Sequence, residues 1–343
     1  MSPTLALADP WTLGSLRVPN RVLLAPLAGI GNWFVRLQAK RYGAGMAFSE
    51  MVSSHAIHYG NEKTCKEMLR IDPRERAAGP VSIQLFGEDP AMMRSAAAYV
   101  ARAGADAIDI NMGCPVPKVR KTGAGAELLA DPDRAVAVAR AASEGGVSTR
   151  GPLPVSVKLR SGLHAGETSG FALAHRLVEE AGVAAIAFHP RAAAVGHKGR
   201  PDYALVARLA ESLPAPVILT GGLSSAEQVR EAFDATGVAA VMIARGALGN
   251  PWLFAQLVGR RQRGPSRQEV LAELRWTIER AVEHLGEQRA TRYLRKFYPW
   301  YLARLGLEPA TANRLQQALH EADSCARARQ LLERYCEPVT PGA

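Results

Sequence analysis

Cysteine is scarce in this chain. Its 343 residues include four, Cys65, Cys114, Cys325 and Cys336, and no two stand at Cys-x-x-Cys spacing. That excludes a disulfide framework and a zinc site of the usual spacing, and a reducing cytoplasm is the expected location. No stretch approaches the roughly 18 uninterrupted apolar residues that a membrane helix needs. Met1–Trp11 has no basic start and no long apolar run, so no secretory signal is expected. The Gly-x-Gly-x-x-Gly fingerprint of a dinucleotide-binding turn is missing as well. The first apolar run leads into Ala25-Pro-Leu-Ala-Gly29, and Gly123-Ala-Gly-Ala-Glu-Leu128 fails at its last position. Low-complexity tracts are absent, and so is any repeat beyond strand–helix units.

What is present is ordinary globular composition, 48% hydrophobic and 22% charged, enough for one large domain and a small one. The net charge is +10 and the pI about 9.7. A polyanion such as nucleic acid is a plausible partner, and a basic but merely solvated surface is the plain alternative.

Short apolar runs alternate with longer amphipathic ones from Arg21 to about Gly259. Strands are predicted at Val22–Ala25, Met46–Ser49, Val81–Phe86, Ala107–Asn111, Val155–Leu159, Ala184–His189, Pro216–Thr220 and Ala239–Ala244. Eight such units over about 240 residues match a TIM (β/α)8 barrel of an α/β protein, typically about 250 residues. A doubly wound open sheet fits less well without its glycine-rich first turn. The barrel is assigned to residues 1–258 and a basic linker to 259–267. An all-α bundle of about four helices follows over 268–337, with a tail at 338–343. From Arg260 onward 15 Lys and Arg stand against 10 Asp and Glu, so half the charge excess lies in about a quarter of the chain.

In a barrel of this kind the active site lies at the carboxyl ends of the strands. Those ends carry Pro26, Ala28, Glu50, Gln84, Asn111, Cys114, Lys158, Arg160, His189, Arg191, Gly221, Gly222, Arg245 and Gly246. Asp109-Ile-Asn-Met-Gly-Cys-Pro115 is the most distinctive stretch. A strand end runs into a rigid turn that carries a lone thiol. Cys114 is there either for chemistry or as an inert small hydrophobe, and these residues alone weigh the two about evenly. Thr220-Gly-Gly-Leu223 and Ala244-Arg-Gly-Ala-Leu-Gly-Asn250 both lead into helices. They are read as a phosphate cradle, against two plain glycine turns. Between Arg289 and Tyr301, helical spacing puts Arg289, Arg292, Arg295 and Lys296 on one face and Leu294, Phe297 and Tyr301 opposite, with Pro299 kinking or restarting the helix. A basic face beside exposed aromatics suits RNA, and an ordinary amphipathic helix fits the same spacing.

Taken together the motifs resemble the tRNA-dihydrouridine synthases, most closely the bacterial B-type subgroup. The likeness runs through Leu24-Ala-Pro-Leu-Ala-Gly-Ile30, Ser49-Glu-Met51, Ser82-Ile-Gln-Leu-Phe-Gly87, Asn111-Met-Gly-Cys-Pro-Val-Pro-Lys118 and Val157-Lys-Leu-Arg160. It continues through His189-Pro-Arg191, His197-Lys-Gly199, Thr220-Gly-Gly222, Ala244-Arg-Gly-Ala-Leu-Gly-Asn-Pro-Trp-Leu-Phe254 and Tyr293-Leu-Arg-Lys296, nearly the whole chain in order. Asn-x-Gly-Cys-Pro is the most specific of these motifs. Two positions depart from the family pattern. Thr220 stands where Asn is usual, and Gly31-Asn-Trp-Phe34 replaces the usual Thr-Asn or Thr-Asp followed by an apolar pair.

The resemblance implies an FMN-dependent barrel with a helical tRNA-binding domain, which reduces the C5=C6 bond of a D-loop uridine with NADPH as electron donor. It implies Cys114 as the acid that protonates C5; a free thiol, of pKa about 8.5, is mostly protonated at neutral pH. It implies Lys158 against the flavin N1 and C2 edge and Gln84 against the ring edge. Pro26, Ala28, Thr220, Gly221, Gly222, Arg245 and Gly246 would line the cofactor, with His189 against flavin or phosphate. Asn111, Arg191 and Arg160 would meet the substrate. Lys118, Arg120, Lys121 and Lys198 on the rim, and Arg292, Arg295 and Lys296 on the bundle, would hold tRNA phosphates. A monomer without an obligatory protein partner is expected. An FMN barrel acting on free pyrimidines and a catalytically silent tRNA-binding protein are the alternatives.

Overall fold

The computed structural model describes residues 5–336, without the side chain of Cys336. The expected tail at 338–343, and the first four residues of the N-terminal stretch, lie outside the described residues.

Eight parallel strands close into a barrel: β1 (Val22–Leu24), β2 (Met46–Phe48), β3 (Val81–Phe86), β4 (Ala107–Met112), β5 (Val155–Arg160), β6 (Ala185–His189), β7 (Val217–Thr220) and β8 (Ala240–Ile243). Each pairs with its neighbour in chain order. Closure comes from β8 on β1, with Met242 opposite Leu23. The eight predicted strands are all present, with ends within about a residue of expectation. The pleat alternates side chains between inside and outside. Ala107, Ala185, Ala187, Ile218, Ala240 and Met242 fill the interior with Leu23, Met46 and Phe48. Two residues further along the same strands, the same inward direction carries Asp109, His189 and Thr220 towards the mouth.

Two short hairpins were not expected from the sequence. Trp11–Leu13 and Leu16–Val18 form an antiparallel hairpin whose Trp11, Leu13 and Val18 complete the interior core. A Cβ on Gly14 would lie 3.1 Å from the side chain of Pro154, just before β5, so the hairpin sits at the end where strands begin. That leaves the other end for function. A second short hairpin, Val147–Ser148 with Gly151–Pro152, was also missed. Both are too short to show a period.

The longer crossover helices are α1 (Trp33–Arg41), α2 (Pro90–Arg102), α3 (Pro132–Gly145), α4 (Ser169–Ala181), α5 (Tyr203–Ser212) and α6 (Ala226–Thr236). Asn32, Asp89, Asp131, Asp202 and Ser225 cap α1, α2, α3, α5 and α6 by accepting from first-turn amides. Behind β1, the fully buried Arg36 pairs with Glu75 at 2.6 Å and donates to the carbonyls of Gly31 and Arg70. Burial pushes the neighbouring Lys40 ammonium down to about 8.

The helices after Arg260 are α7 (Arg267–Leu285), α8 (Glu287–Leu294), α9 (Tyr298–Leu302), α10 (Pro309–Glu321) and α11 (Cys325–Cys336). Ser266 and Glu269 form a capping box at the start of α7, and Arg261 pairs with Glu269 at 2.7 Å. About four helices were expected; the described residues hold five, because Pro299 starts a fresh one. Of the two readings of this stretch, Phe297, Tyr298 and Tyr301 follow the amphipathic one, buried on the core face, while Tyr293 and Trp300 are half-buried. Ala247–Trp252 group with these helices, and Leu253–Arg260 with the barrel. Gly249 shows why: a Cβ there would meet the Trp300 backbone at 2.6 Å, a packing that sequence order does not reveal. No helix of the described residues is long and apolar enough to cross a membrane.

Candidate active site

The turn after β4 is fixed from beneath by a hydrogen-bond chain. Asn111 Oδ1 accepts from the amides of Gly113 at 3.2 Å and Cys114 at 2.9 Å. Asn111 Nδ2 donates to Gln84 Oε1 at 2.9 Å, and Gln84 Nε2 donates to Asp109 at 2.6 Å. Ser156 donates to the other Asp109 oxygen at 2.6 Å. From the side, Arg160 Nε donates to the Gly113 carbonyl at 2.8 Å, and its Nη1 reaches the Gly196 carbonyl at 2.9 Å. Gly125, at φ +64°, comes so close that a Cβ would lie 2.9 Å from the Cys114 carbonyl. Within this frame Cys114 is half-buried, at the mouth of the barrel.

Lys158 stands opposite Asn111 in the β4–β5 register. Burial and the nearby Arg160 push its ammonium down to about 8, while Asp109 and the Cys114 sulfur work against that fall. Asp109 goes the other way, to about 6, because burial outweighs the hydrogen bonds from Ser156 and Gln84 and the field of Lys158. The thiol, the ammonium and the carboxylate therefore share one electrostatic neighbourhood.

Beyond β6 the charge is positive. The His189 ring stacks on His197 at 5.7 Å, and Arg191 Nη1 lies 3.3 Å from His189 Nε2. Burial, then Lys158, Arg160 and Arg191, holds His189 neutral, so its Nε2 can accept from Arg191. His197 is pushed down by burial and by Arg245, Arg160, Arg191 and Lys158, with no carboxylate among its perturbers. Arg191 Nε is a buried donor with no hydrogen-bond partner. Gly221, at φ +100°, lies so close to His189 that a Cβ would fall 2.3 Å from the ring, and one on Gly246 would meet the Leu223 carbonyl at 2.6 Å. These cations, the unpartnered Arg191 Nε and the bare backbone of Gly221 and Gly246 are groups that could hold an anion.

The other expected residues are placed as follows. Gln84, Asn111, Cys114 and Lys158 converge on one mouth. Thr220 is buried at the end of β7, Pro26 is half-buried and Ala28 is exposed. Arg160 is 3% exposed, and its Nε and Nη1 reach the carbonyls of Gly113, Arg191, Ala192 and Gly196, so it braces the loops around the mouth. Arg191 is also buried, with Nη2 on the Gly199 carbonyl at 2.6 Å. On the rim, Lys118, Lys121 and Lys198 are exposed, whereas Arg120 pairs with Glu127 at 2.8 Å. Arg292, Arg295 and Lys296 are exposed, on the helical unit.

Residues 23–337 match the family model described as Dihydrouridine synthase (Dus). The chain belongs to the dihydrouridine synthase family. It is 35% identical over 331 residues to "tRNA-dihydrouridine synthase B" of Pseudomonas aeruginosa, covering 93% of this chain and 94% of that protein. To "Probable tRNA-dihydrouridine synthase 1" of Synechocystis sp. it is 34% identical, over 95% and 89% of the two chains. Among solved structures the fold is similar to morphinone reductase, with TM-score 0.56 and 19% identity over 79% of this chain and 94% of that one. As a dihydrouridine synthase the protein is an oxidoreductase.

Four residues of this dihydrouridine synthase site had no role assigned from the sequence, although Glu50 stood among the strand ends and Asp109 and His197 within motifs. Asp109 and Ser156 anchor the chain beneath Cys114, His197 covers His189, and Glu50 accepts from the Gly29 amide at 2.8 Å. Asp109 carried a signal, a charge between Ile108 and Ile110 within a buried strand. Ser156 carried none.

Proposed function

We propose that this dihydrouridine synthase reduces the C5=C6 bond of a D-loop uridine in tRNA, with FMN as its flavin and NADPH as the electron donor. The reading is supported by Cys114 on the turn that Asn111 holds, Lys158 opposite Asn111 on the next strand, and the Arg191–His189 pair at the end of β6. The residues present fit the cofactor. Gly221, Gly222, Arg245, Gly246 and the unpartnered Arg191 Nε would take the phosphate, with His189 and Thr220 beside it. Pro26 and Ala28 would flank the ring, Gln84 its edge, and Lys158 the N1 and C2 side. When bound, FMN supplies the hydride that reaches C6 of the uracil.

Cys114 holds a proton on Sγ and gives it to C5: the S–H bond breaks, the C5–H bond forms, and a thiolate remains. Solvent protons restore the thiol through the open mouth. Asn111 Nδ2 would orient the uracil carbonyl. The uridine must leave its stack to reach this depth, at a cost of a few kcal/mol. Phosphate contacts from Lys118, Lys121 and Lys198, and from Arg292, Arg295 and Lys296 on the helical unit, offset that cost. The enzyme would act as a monomer in the cytoplasm.

Cys114→Ala should purify yellow yet form little dihydrouridine on unmodified tRNA transcript. Dihydrouridine formation at the wild-type rate in that variant would remove Cys114 as the acid.

A further inference from the structure

Asp109 is fully buried in β4, and the chemistry above gives it no task. Its role follows from donors that cannot change. The backbone N–H groups of Gly113 and Cys114 can only donate, and both point at Asn111. Asn111 must therefore turn its oxygen to the loop and its nitrogen to Gln84. Gln84 must accept there with Oε1, which leaves Nε2 facing Asp109. Asp109 is the terminal acceptor, with the Ser156 hydroxyl donating to its second oxygen. Reversing one amide sets donor against donor or acceptor against acceptor, and each mismatch in a buried site costs about 1–3 kcal/mol.

We propose that Asp109 is a positioning residue: as terminal acceptor it fixes the orientation of Gln84 and Asn111, and through them the Gly113–Cys114 turn that presents the thiol. This rests on Cys114 being the acid, but it concerns where the sulfur is held, not what the sulfur does. Asp109 touches no reacting atom.

The polarity of the relay can be inverted. Asn111→Asp accepts from both loop amides but cannot donate to Gln84 Oε1, so Gln84 must turn over and set its oxygen against Asp109. Adding Asp109→Asn satisfies every group again: Asp at 111 accepts from Gln84 Nε2, Gln84 Oε1 accepts from Asn at 109, and that Asn accepts from Ser156. The measurements are hydrogen–deuterium exchange of the peptide carrying residues 112–116 and the rate of Cys114 alkylation by iodoacetamide, on the full-length protein. Asn111→Asp should raise both by about tenfold or more, and the double variant should return them to within about threefold of wild type. A double variant as fast as Asn111→Asp overturns the proposal, as does Asn111→Asp at the wild-type rate. Should Asn111→Asp not accumulate folded, Asp109→Leu beside Asp109→Asn decides it. A tenfold rise in the first alone supports the relay, and equal exchange in the two overturns it. None of these readouts uses turnover, so a failure of Cys114 as the acid would show separately in Cys114→Ala.

Discussion

Arg160 Nε donates to the Gly113 carbonyl at 2.8 Å, across the β4–β5 junction and directly beside the thiol-bearing turn. The same guanidinium reaches the loop after β6 through Gly196. Arg160→Met would leave these buried carbonyls unmatched, each worth about 1–3 kcal/mol. Urea unfolding should show a loss of about 2–4 kcal/mol. Turnover should fall, while the Kd for tRNA, measured by filter binding, changes less than about threefold. A tenfold loss of tRNA affinity at unchanged stability would return Arg160 to the substrate contacts expected from its position.

The pH dependence of stability has a definite sign at Asp109. Its pKa is raised in the folded protein, to about 6, above the unfolded value of about 3.9. The folded state therefore holds this proton more tightly, and the stability so gained is lost as pH rises from about 4 through 6. Above that window the buried charge costs on the order of 3 kcal/mol. Asp109→Asn should therefore raise the thermal midpoint at pH 8 and do so much less at pH 4.5. Equal shifts at both pH values would mean that Asp109 titrates as it does when unfolded.

Gly221→Ala tests the anion cradle. The backbone there is at φ +100° and the added methyl would fall 2.3 Å from the His189 ring. The protein should purify with its flavin absorbance at 450 nm largely lost, since cradle and ring must both shift. Far-UV circular dichroism should stay close to wild type. Full flavin content would place the phosphate elsewhere.

Binding of tRNA should weaken steeply with salt, because exposed Lys118, Lys121, Lys198, Arg292 and Arg295 would meet phosphates. Replacing Lys198 or Arg295 by Ala should each lower the slope of log Kd against log salt by about one. Arg120→Ala should change it less, because Arg120 is already paired with Glu127. A flat salt response in the wild type would set these basic faces aside.

Much of the fold is legible in the chain itself. Eight apolar runs spaced by amphipathic ones specify strand and helix locally, because burial against one face imposes a period on the residues that form it. Turn chemistry marks the strand ends, and so the residues from Gln84 to Gly246 that line the mouth. The distinctive Asn111–Pro115 turn is legible for the same reason, since glycine and proline constrain the backbone wherever they stand. What tertiary structure decided is the employment of each polar group. Arg160 looked available and is bonded to carbonyls of two loops. Phe297 and Tyr301 fitted a stacking platform and a core face equally by spacing, and are core. Asp109 looked incidental and ends a relay. Hydrogen-bond partners and burial depend on neighbours that lie tens of residues away along the chain, as Ser156 does from Asp109, and pattern along the chain carries no record of them.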